Sequence, residues 1–310
     1  MTIEHQRVAD APERNWVDRF APLAIRPYMR LARLDRPIGT WLLLWPCLWS
    51  IALADLANGD RVPSIWLLIL FSIGAIVMRG AGCVYNDLVD KDFDGRVERT
   101  RSRPIPSGQV SVRNARIYMI SLSLVGFLVL IQLNWISIKL GILSLAIVAI
   151  YPFMKRFTYW PQIFLGLAFS WGALMGWAAV RAEVTLVSVI LYASAISWTI
   201  GYDTIYAHQD KEDDALLGLK STALKFGEST KSWLSLFFGL ALALLALCGW
   251  LLATGMVYWL GLTAATAHGT WQITTLDIAD RDNCLRRFRS NRDFGLIIFC
   301  TILLQMAVGN

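Results

Sequence analysis

Long apolar runs, separated by short polar segments, fill the chain from residue 38 onward. Each run reaches or approaches the roughly 20 residues that an α-helix needs to cross a bilayer. The runs cover nine segments, residues 38–57, 64–85, 113–133, 137–153, 161–180, 184–206, 232–253, 256–276 and 294–309. This pattern predicts a polar segment over residues 1–37, followed by a single transmembrane domain over residues 38–310.

Composition agrees with a membrane protein. Hydrophobic residues make up 56% of the chain, above the roughly 45–50% that is usual in soluble domains. The net charge of +6 does not indicate nucleic-acid binding, because the basic residues lie between apolar runs rather than along one soluble surface. The five cysteines lack the spacing of a zinc site or a disulfide framework. The fold class that follows is an all-α, polytopic membrane protein.

The distribution of Lys and Arg supports the number of crossings. With the N-terminus in the cytoplasm, only Arg61, Lys139 and Arg181 of the 29 basic residues fall on the outer side. Basic residues favour the cytoplasmic side of a membrane protein. The asymmetry predicts nine crossings and a C-terminus on the outer side.

The composition of residues 1–37 indicates in which cellular compartment the protein is expected. They lack the apolar core of a secretory signal, and they contain acidic residues, which transit peptides avoid: Glu4, Asp10, Glu13 and Asp18. The segment fits a bacterial protein, or an organellar protein whose transit peptide has been removed. We expect the bacterial inner (cytoplasmic) membrane, with a cytoplasmic N-terminus and a periplasmic C-terminus.

The second apolar run ends in NDLVDKDFD, residues 86–94. At about 100° per residue, a helix places Asn86, Asp87, Asp90 and Asp94 on one face and directs Asp92 away. Clustered carboxylates repel one another unless a proton or a hard cation intervenes, and oxygen ligands suit Mg²⁺. Bound Mg²⁺ usually completes its shell with waters and substrate phosphates. The motif predicts a diphosphate site with Mg²⁺ as cofactor; the alternative is a solvated acidic helix end.

A second acidic cluster, GYDTIYAHQDKEDD over residues 201–214, follows the sixth apolar run. A continuous helix would place Asp203, Asp210 and Asp214 within about 40° of one another. Four predicted helices separate the clusters, so both face the cytoplasm, and a four-helix pseudo-repeat is plausible. Ionisable groups at membrane depth usually mark a site. His208 is expected to be a hydrogen-bonding neighbour rather than a base.

Basic loops follow both clusters. Arg96, Arg99, Arg101 and Arg103 follow the first, and Lys220 and Lys225 follow the second. Cations beside metal-binding carboxylates suit the remaining oxygens of a diphosphate. The alternative is anchoring to lipid headgroups, which we expect for Arg113, Arg116 and the basic group between Arg281 and Arg292.

Gly39, Gly166, Gly172, Gly176 and His268 have expected structural roles. The glycines allow close helix packing, and Gly172 with Gly176 forms a small-xxx-small pair. His268, in the middle of the eighth run, is expected to form an interhelical hydrogen bond.

These blocks resemble the UbiA-type intramembrane aromatic prenyltransferases. NDLVDKDFD matches the NDxxDxxxD motif of that family, and DKEDD matches its DxxxD motif. The resemblance extends over residues 31–227 through RLDRPIGTWLLLWPCLWS, RGAGCVYNDLVDKDFDGRVERTRSRPIPSG, YPFMKRFTYWPQIFLG and YDTIYAHQDKEDDALLGLKSTALKFG. It is closest to the branch that prenylates 4-hydroxybenzoate in ubiquinone biosynthesis.

The resemblance implies a bundle of nine transmembrane helices around a central cavity. It also implies transfer of a polyprenyl group from polyprenyl diphosphate to position 3 of 4-hydroxybenzoate, ortho to the hydroxyl. No protein partner is predicted. By motif position, one Mg²⁺ would be bound by Asp90 and Asp94, supported by Asn86 and Asp87, and the other by Asp210 and Asp214.

The same resemblance implies roles for the cations. Arg99, Arg103 and Lys155 would contact the diphosphate, and Lys220 lies in the basic loop after the second motif. Arg79 and Arg156 are the candidates for binding the carboxylate of the aromatic acid. Tyr151 is the aromatic residue most expected at the site.

Two alternatives remain open. A related prenyltransferase could use another acceptor, such as a haem, chlorophyll, homogentisate or dihydroxynaphthoate precursor. A cation-coupled transporter or metal channel would also use carboxylates within the membrane. The position of both clusters at one face, beside basic loops and away from the bilayer midplane, argues against a transporter.

Overall fold

The computed structural model describes residues 8, 11–12, 15–95 and 100–309. Helices account for the regular structure of these residues, and no strand occurs among them. The α-helices in chain order are α1 (Trp16–Phe20), α2 (Arg26–Leu31), α3 (Ile38–Ala57), α4 (Ile65–Asp94), α5 (Val112–Leu130), α6 (Trp135–Ile150), α7 (Met154–Phe157), α8 (Pro161–Phe169), α9 (Gly172–Arg181), α10 (Leu186–Ala207), α11 (Lys211–Leu216), α12 (Thr222–Phe226), α13 (Thr230–Leu251), α14 (Met256–Thr274) and α15 (Arg281–Val308). The prediction of an all-α membrane protein is confirmed.

Each predicted span coincides with one or more of these helices. Among the described residues, eight helical segments have the length and apolar character needed to cross a membrane. The run at 256–276 corresponds to α14, which is not among those eight and contains the polar residues His268 and Gln272. The predicted number of nine is therefore approximate.

Two spans differ in extent from their predictions. The ninth was expected at 294–309, but α15 begins at Arg281, where Asp280 caps it by accepting hydrogen bonds from the backbone amides of Asp282 and Asn283. The apolar run marks only the C-terminal part of this helix, so the basic group between Arg281 and Arg292 lies on a helix rather than in a loop. The fourth span continues past α6 through a 3₁₀ turn at Tyr151–Phe153 and α7.

Two compact units divide the chain. The first comprises Met1–Thr40 with Ser72–Gln132, and the second comprises Trp41–Phe71 with Leu133–Asn310. The first acidic motif belongs to the first unit and the second motif to the second unit. The single domain over residues 38–310 and the pseudo-repeat stay predictions.

A small apolar core in the first unit supports the end of α4. Its buried members are Leu31, Val84, Ile105, Val110 and Ala115. They come from α2, α4, α5 and the loop before α5, so burying them holds that loop against the helix that carries the first motif.

Close packing of α3 against α9 organises part of the second unit. A Cβ atom on Gly176 would lie 2.8 Å from the carbonyl oxygen of Cys47, and one on Gly172 would overlap the Cys47 side chain. Ser50 adds a hydrogen bond to the carbonyl oxygen of Ala173. The predicted small-xxx-small contact is confirmed, because only glycine allows this approach.

A buried polar network joins α10, α14 and α15. Trp198 Nε1 donates to Asn291 Oδ1 at 2.9 Å, and Asn291 Nδ2 donates to Gln272 Oε1 at 2.8 Å. His268 Nδ1 lies 3.1 Å from Gln272 Nε2 on the same helix. The hydrogen bond of His268 is therefore intrahelical, contrary to the prediction, and Gln272 connects it to the other helices.

Candidate functional site

The first acidic motif lies on the last turns of α4, which extends without a break to Asp94. Asp87, Asp90 and Asp94 are buried and Asn86 is half-buried, whereas Lys91 and Asp92 are exposed. The 3.6-residue periodicity therefore places the carboxylates on a protected face, as predicted, and leaves Asp92 outside it.

Arg33 binds this acidic face from the loop after α2. Its Nη2 donates to both carboxylate oxygens of Asp87, at 2.7 and 3.0 Å. Arg33 has a φ of 59°, in the left-handed region that side chains other than glycine rarely adopt. Both partners are buried, so the ion pair compensates two charges removed from water. Arg33 was not among the predicted site residues.

Arg103 connects two carboxylates of the same face. Its Nη1 donates to Asp94 Oδ2 at 2.8 Å and lies 3.4 Å from Asp87 Oδ1. The hydroxyl of Thr100 donates to the carbonyl oxygen of Asp94 at 2.8 Å. These contacts place the predicted residue Arg103 at the C-terminal end of the motif.

Arg79 lies on α4 ahead of the motif and is half-buried. Its guanidinium group contacts the sulfur of Cys83. A Cβ atom on Gly39 would lie 2.6 Å from Arg79 Nε. The absence of a side chain at Gly39 is thus what leaves room for the guanidinium group. Arg99, predicted to contact diphosphate, lies outside the described residues.

The second acidic motif has a different backbone from the first. Helix α10 ends at Ala207, and α11 starts at Lys211 after a break at residues 208–210. The expectation of one continuous helix through Asp203, Asp210 and Asp214 is therefore wrong. Asp210 occupies the N-cap position, and its carbonyl oxygen accepts a hydrogen bond from the amide of Asp214 at 2.8 Å. All three side chains are half-buried.

The loop after the second motif docks on the YPFMKR block. The amide of Lys220 donates to the carbonyl oxygen of Lys155 at 2.8 Å, and Lys220 Nζ donates to the carbonyl oxygen of Phe157 at 3.1 Å. The guanidinium group of Arg156 lies over the ring of Phe153 at 5.4 Å. Tyr151 begins the 3₁₀ turn that leads into these residues. The second unit therefore brings Lys220 against the backbone of Lys155 and Phe157, although 63 residues separate Lys220 from Phe157 in sequence.

His208 lies at the helix break and is buried. Its Nε2 is 3.0 Å from the hydroxyl of Thr230. Burial, reinforced by the positive charge of Lys211, lowers the pKa of His208 to about 4. The contact with Thr230 agrees with the prediction that His208 is a hydrogen-bonding neighbour.

The donor atoms of the acidic motifs fit a hard cation. Asn86, Asp90 and Asp94 offer oxygen ligands, although Arg103 binds Asp94, and Arg33 binds Asp87. In the part of the chain that the structure describes, no group of three or more His, Cys, Asp or Glu is arranged as a complete ligand set. Mg²⁺ usually takes one or two carboxylates and completes its shell with waters and substrate phosphates. The residues therefore fit a site that the diphosphate would complete.

Comparisons with known proteins agree with this chemistry. The family model of the UbiA prenyltransferase family matches residues 43–301. The 4-hydroxybenzoate polyprenyltransferase, mitochondrial, of Drosophila pseudoobscura pseudoobscura is 51% identical over 282 residues, which are 91% of this chain and 70% of that protein.

Two solved structures are similar in fold. The apo structure of a UbiA homolog from Aeropyrum pernix K1 has a TM-score of 0.71 at 23% identity, covering 85% of this chain and 98% of that one. The structure of a UbiA homolog from Archaeoglobus fulgidus bound to GPP and Mg²⁺ has a TM-score of 0.68 at 19% identity. It covers 91% of this chain and 99% of that one. At these identities the likeness establishes the helical fold.

The expected compartment needs correction. The relative from Drosophila pseudoobscura pseudoobscura is a mitochondrial protein, and this overturns the expectation of a bacterial inner membrane in favour of a mitochondrial membrane.

Proposed function

This chain belongs to the UbiA prenyltransferase family, and from that membership we propose that it transfers a polyprenyl group from polyprenyl diphosphate to carbon 3 of 4-hydroxybenzoate, in ubiquinone biosynthesis. The observation that carries the proposal is the buried acidic face of α4, with Arg103 and Arg33 bound to it. Buried carboxylates beside cations at the end of a membrane helix are costly unless they serve a site.

The acidic motifs would hold Mg²⁺. In the first unit Asp90 and Asp94 would be ligands with Asn86, while Asp87 would support them through Arg33 and Arg103. In the second unit Asp210 and Asp214 would be ligands. When bound, Mg²⁺ neutralises the diphosphate oxygens and makes the diphosphate a better leaving group.

The cations would bind the remaining diphosphate oxygens. Arg103 already lies at the acidic face, and Lys155 and Lys220 lie together in the second unit. Arg99 would act with them. Guanidinium and ammonium groups stabilise the negative charge that grows as the allylic C–O bond breaks, with the bonding electron pair leaving on the diphosphate.

The acceptor ring would then attack the allylic carbon. Arg79 or Arg156 would bind the benzoate carboxylate and orient the ring, and Tyr151 would offer its π face to the cation. The hydroxyl donates electron density to the ortho carbon, where the new C–C bond forms, and that carbon then loses its proton to a base. Excluding water prevents the cation from being quenched to a polyprenol.

A product analysis tests the function. Purified chain in detergent or liposomes is given a defined polyprenyl diphosphate, Mg²⁺ and either 4-hydroxybenzoate, homogentisate or dihydroxynaphthoate. We expect diphosphate release together with a product whose mass equals prenylated 4-hydroxybenzoate. Prenylation of another acceptor alone would reassign the substrate. Movement of Mg²⁺ into liposomes without diphosphate release would favour a transporter.

A further inference from the structure

An exposed apolar patch lies ahead of the first membrane helix. Trp16, Phe20, Leu23 and Ile25 expose 47%, 69%, 67% and 47% of their surface, respectively. Four large apolar side chains are therefore exposed within ten residues of chain, a local density of apolar surface that water solvates poorly. The metal, diphosphate and acceptor chemistry above uses none of them.

Fixed contacts hold this patch in place. Asn15 caps α1 by accepting a hydrogen bond from the amide of Asp18. Trp16 Nε1 donates to the carbonyl oxygen of Leu34 at 2.7 Å, and Arg30 Nη2 lies 2.7 Å from Asp18 Oδ1. Val17, which follows Trp16 on α1, is fully buried. The outward direction of the apolar side chains is therefore set by the fold of the first unit.

The position of the patch points to a lipid surface. Trp16 is bonded to Leu34, four residues before the start of the membrane-crossing helix α3 at Ile38. Trp is enriched where protein meets the headgroup region, because its ring is apolar and its N–H is polar. The patch therefore lies near the level at which the chain enters the bilayer.

Charge complements this position. The guanidinium group of Arg19 lies 4.9 Å from the centre of the Phe20 ring, and Arg19 is exposed. The carboxylate of Asp18 is engaged by Arg30, so it does not neutralise Arg19. Exposed apolar side chains beside an exposed arginine fit the boundary between acyl chains and anionic headgroups.

We propose that residues 15–26 lie on the surface of the bilayer that the protein spans, with Trp16, Phe20, Leu23 and Ile25 at the boundary between headgroups and acyl chains and Arg19 against anionic headgroups. The segment is thus a lipid-surface anchor that precedes the first crossing and fixes the entry of the chain into the membrane.

Depth measurements on the full chain test this proposal. Phe20→Cys and Leu23→Cys, in a Cys300→Ser background that removes the exposed native thiol, are labelled with an environment-sensitive fluorophore. The matched control is Leu216→Cys, because Leu216 is 86% exposed and follows the acidic residues of α11. All variants are first checked for monodispersity and melting temperature.

The labelled chains are placed in phosphatidylcholine vesicles with or without phosphatidylglycerol. We expect headgroup-level doxyl lipid to quench the labels at 20 and 23 several-fold more than the label at 216, and aqueous iodide to show the reverse order. Arg19→Glu should remove the increase in lipid quenching that phosphatidylglycerol causes.

Two outcomes would overturn the proposal. If iodide quenched the labels at positions 20 and 23 as strongly as the label at position 216, the patch would be covered by water. Protection from iodide without quenching by doxyl lipid would show that protein covers it, either a second copy or another partner. Each outcome is independent of whether the chain is a prenyltransferase.

Discussion

Asp87 and Asp90 lie three residues apart on the buried face of α4. Asp87 is bound by Arg33 and Arg103, so its charge is used within the protein. Asp90 is buried on the same face. At the scale of single residues, Asp87 is the carboxylate that Arg33 and Arg103 bind, and Asp90 is one of the carboxylates that we propose as metal ligands.

Substitution of Asp90 tests the metal role. Asp90→Asn is expected to lower prenyl transfer by about 100-fold or more, because a charged ligand is lost, while the melting temperature changes little. Asp92→Asn is the matched control, since Asp92 is exposed on the opposite face. Equal activity in the two variants would contradict the assignment.

The ion pair between Arg33 and Asp87 predicts a stability effect. Arg33→Leu or Asp87→Asn alone should destabilise the protein by about 3 kcal/mol, because each breaks a buried ion pair by removing one of its charges. The double variant should lose clearly less than the sum of the two. Thermal unfolding in detergent measures these differences. Strict additivity would mean that the pair is not coupled.

Arg156 tests the division of the cations between the two substrates. Arg156→Ala is expected to raise the KM for 4-hydroxybenzoate by about 10- to 100-fold, because a charged hydrogen bond is removed, with little change in the KM for the diphosphate. Steady-state kinetics with each substrate varied in turn provide the measurement. A rise in the KM for the diphosphate alone would assign Arg156 to diphosphate binding. Arg79 would then be the candidate for binding the benzoate carboxylate.

At the scale of elements, α4 and the helix break after α10 show what local pattern can predict. The apolar run and the period of NDLVDKDFD predict a helix with Asp90 on the shared acidic face and Asp92 directed away from it; in the structure Asp90 is buried and Asp92 is exposed. The break before α11 was missed, although Asp210 followed by Glu212, Asp213 and Asp214 is typical of a helix start. The i,i+4 spacing that both motifs share favours a continuous helix, and the prediction followed that spacing instead of the helix-start pattern.

The contact between α3 and α9 predicts different results for two glycines. Gly176→Ala should destabilise the protein by about 1–3 kcal/mol, because the new methyl group meets the Cys47 backbone. Gly239→Ala, on α13, is the matched control: its Cβ would meet open space, so higher helix propensity should leave stability unchanged or raise it by up to about 1 kcal/mol. Thermal unfolding compares the two. A similar loss in both would contradict the packing argument.

At the scale of the whole molecule, each compact unit carries one acidic motif and its own cations. Removing divalent metal with EDTA should therefore abolish prenyl transfer, and Mg²⁺ should restore it. Ca²⁺ should restore less, because its longer bonds and larger coordination number suit a different site.

A binding readout separates metal loss from unfolding. Inorganic diphosphate should raise the melting temperature in the presence of Mg²⁺ and should not do so after EDTA, while EDTA alone should leave the melting temperature nearly unchanged. Stabilisation by diphosphate that persists in EDTA would contradict a metal-dependent site.

Local patterns determined the helical class, the positions of the membrane spans and the acidic face of α4, because hydrophobicity and helix period act over a few neighbouring residues. Tertiary structure alone decided that Arg33 engages Asp87 across 54 residues of chain, that Gly39 makes room for Arg79, and that Lys220 docks on the YPFMKR block. Such contacts depend on how distant segments pack in space, and the spacing of residues along the sequence does not indicate which distant residues come into contact.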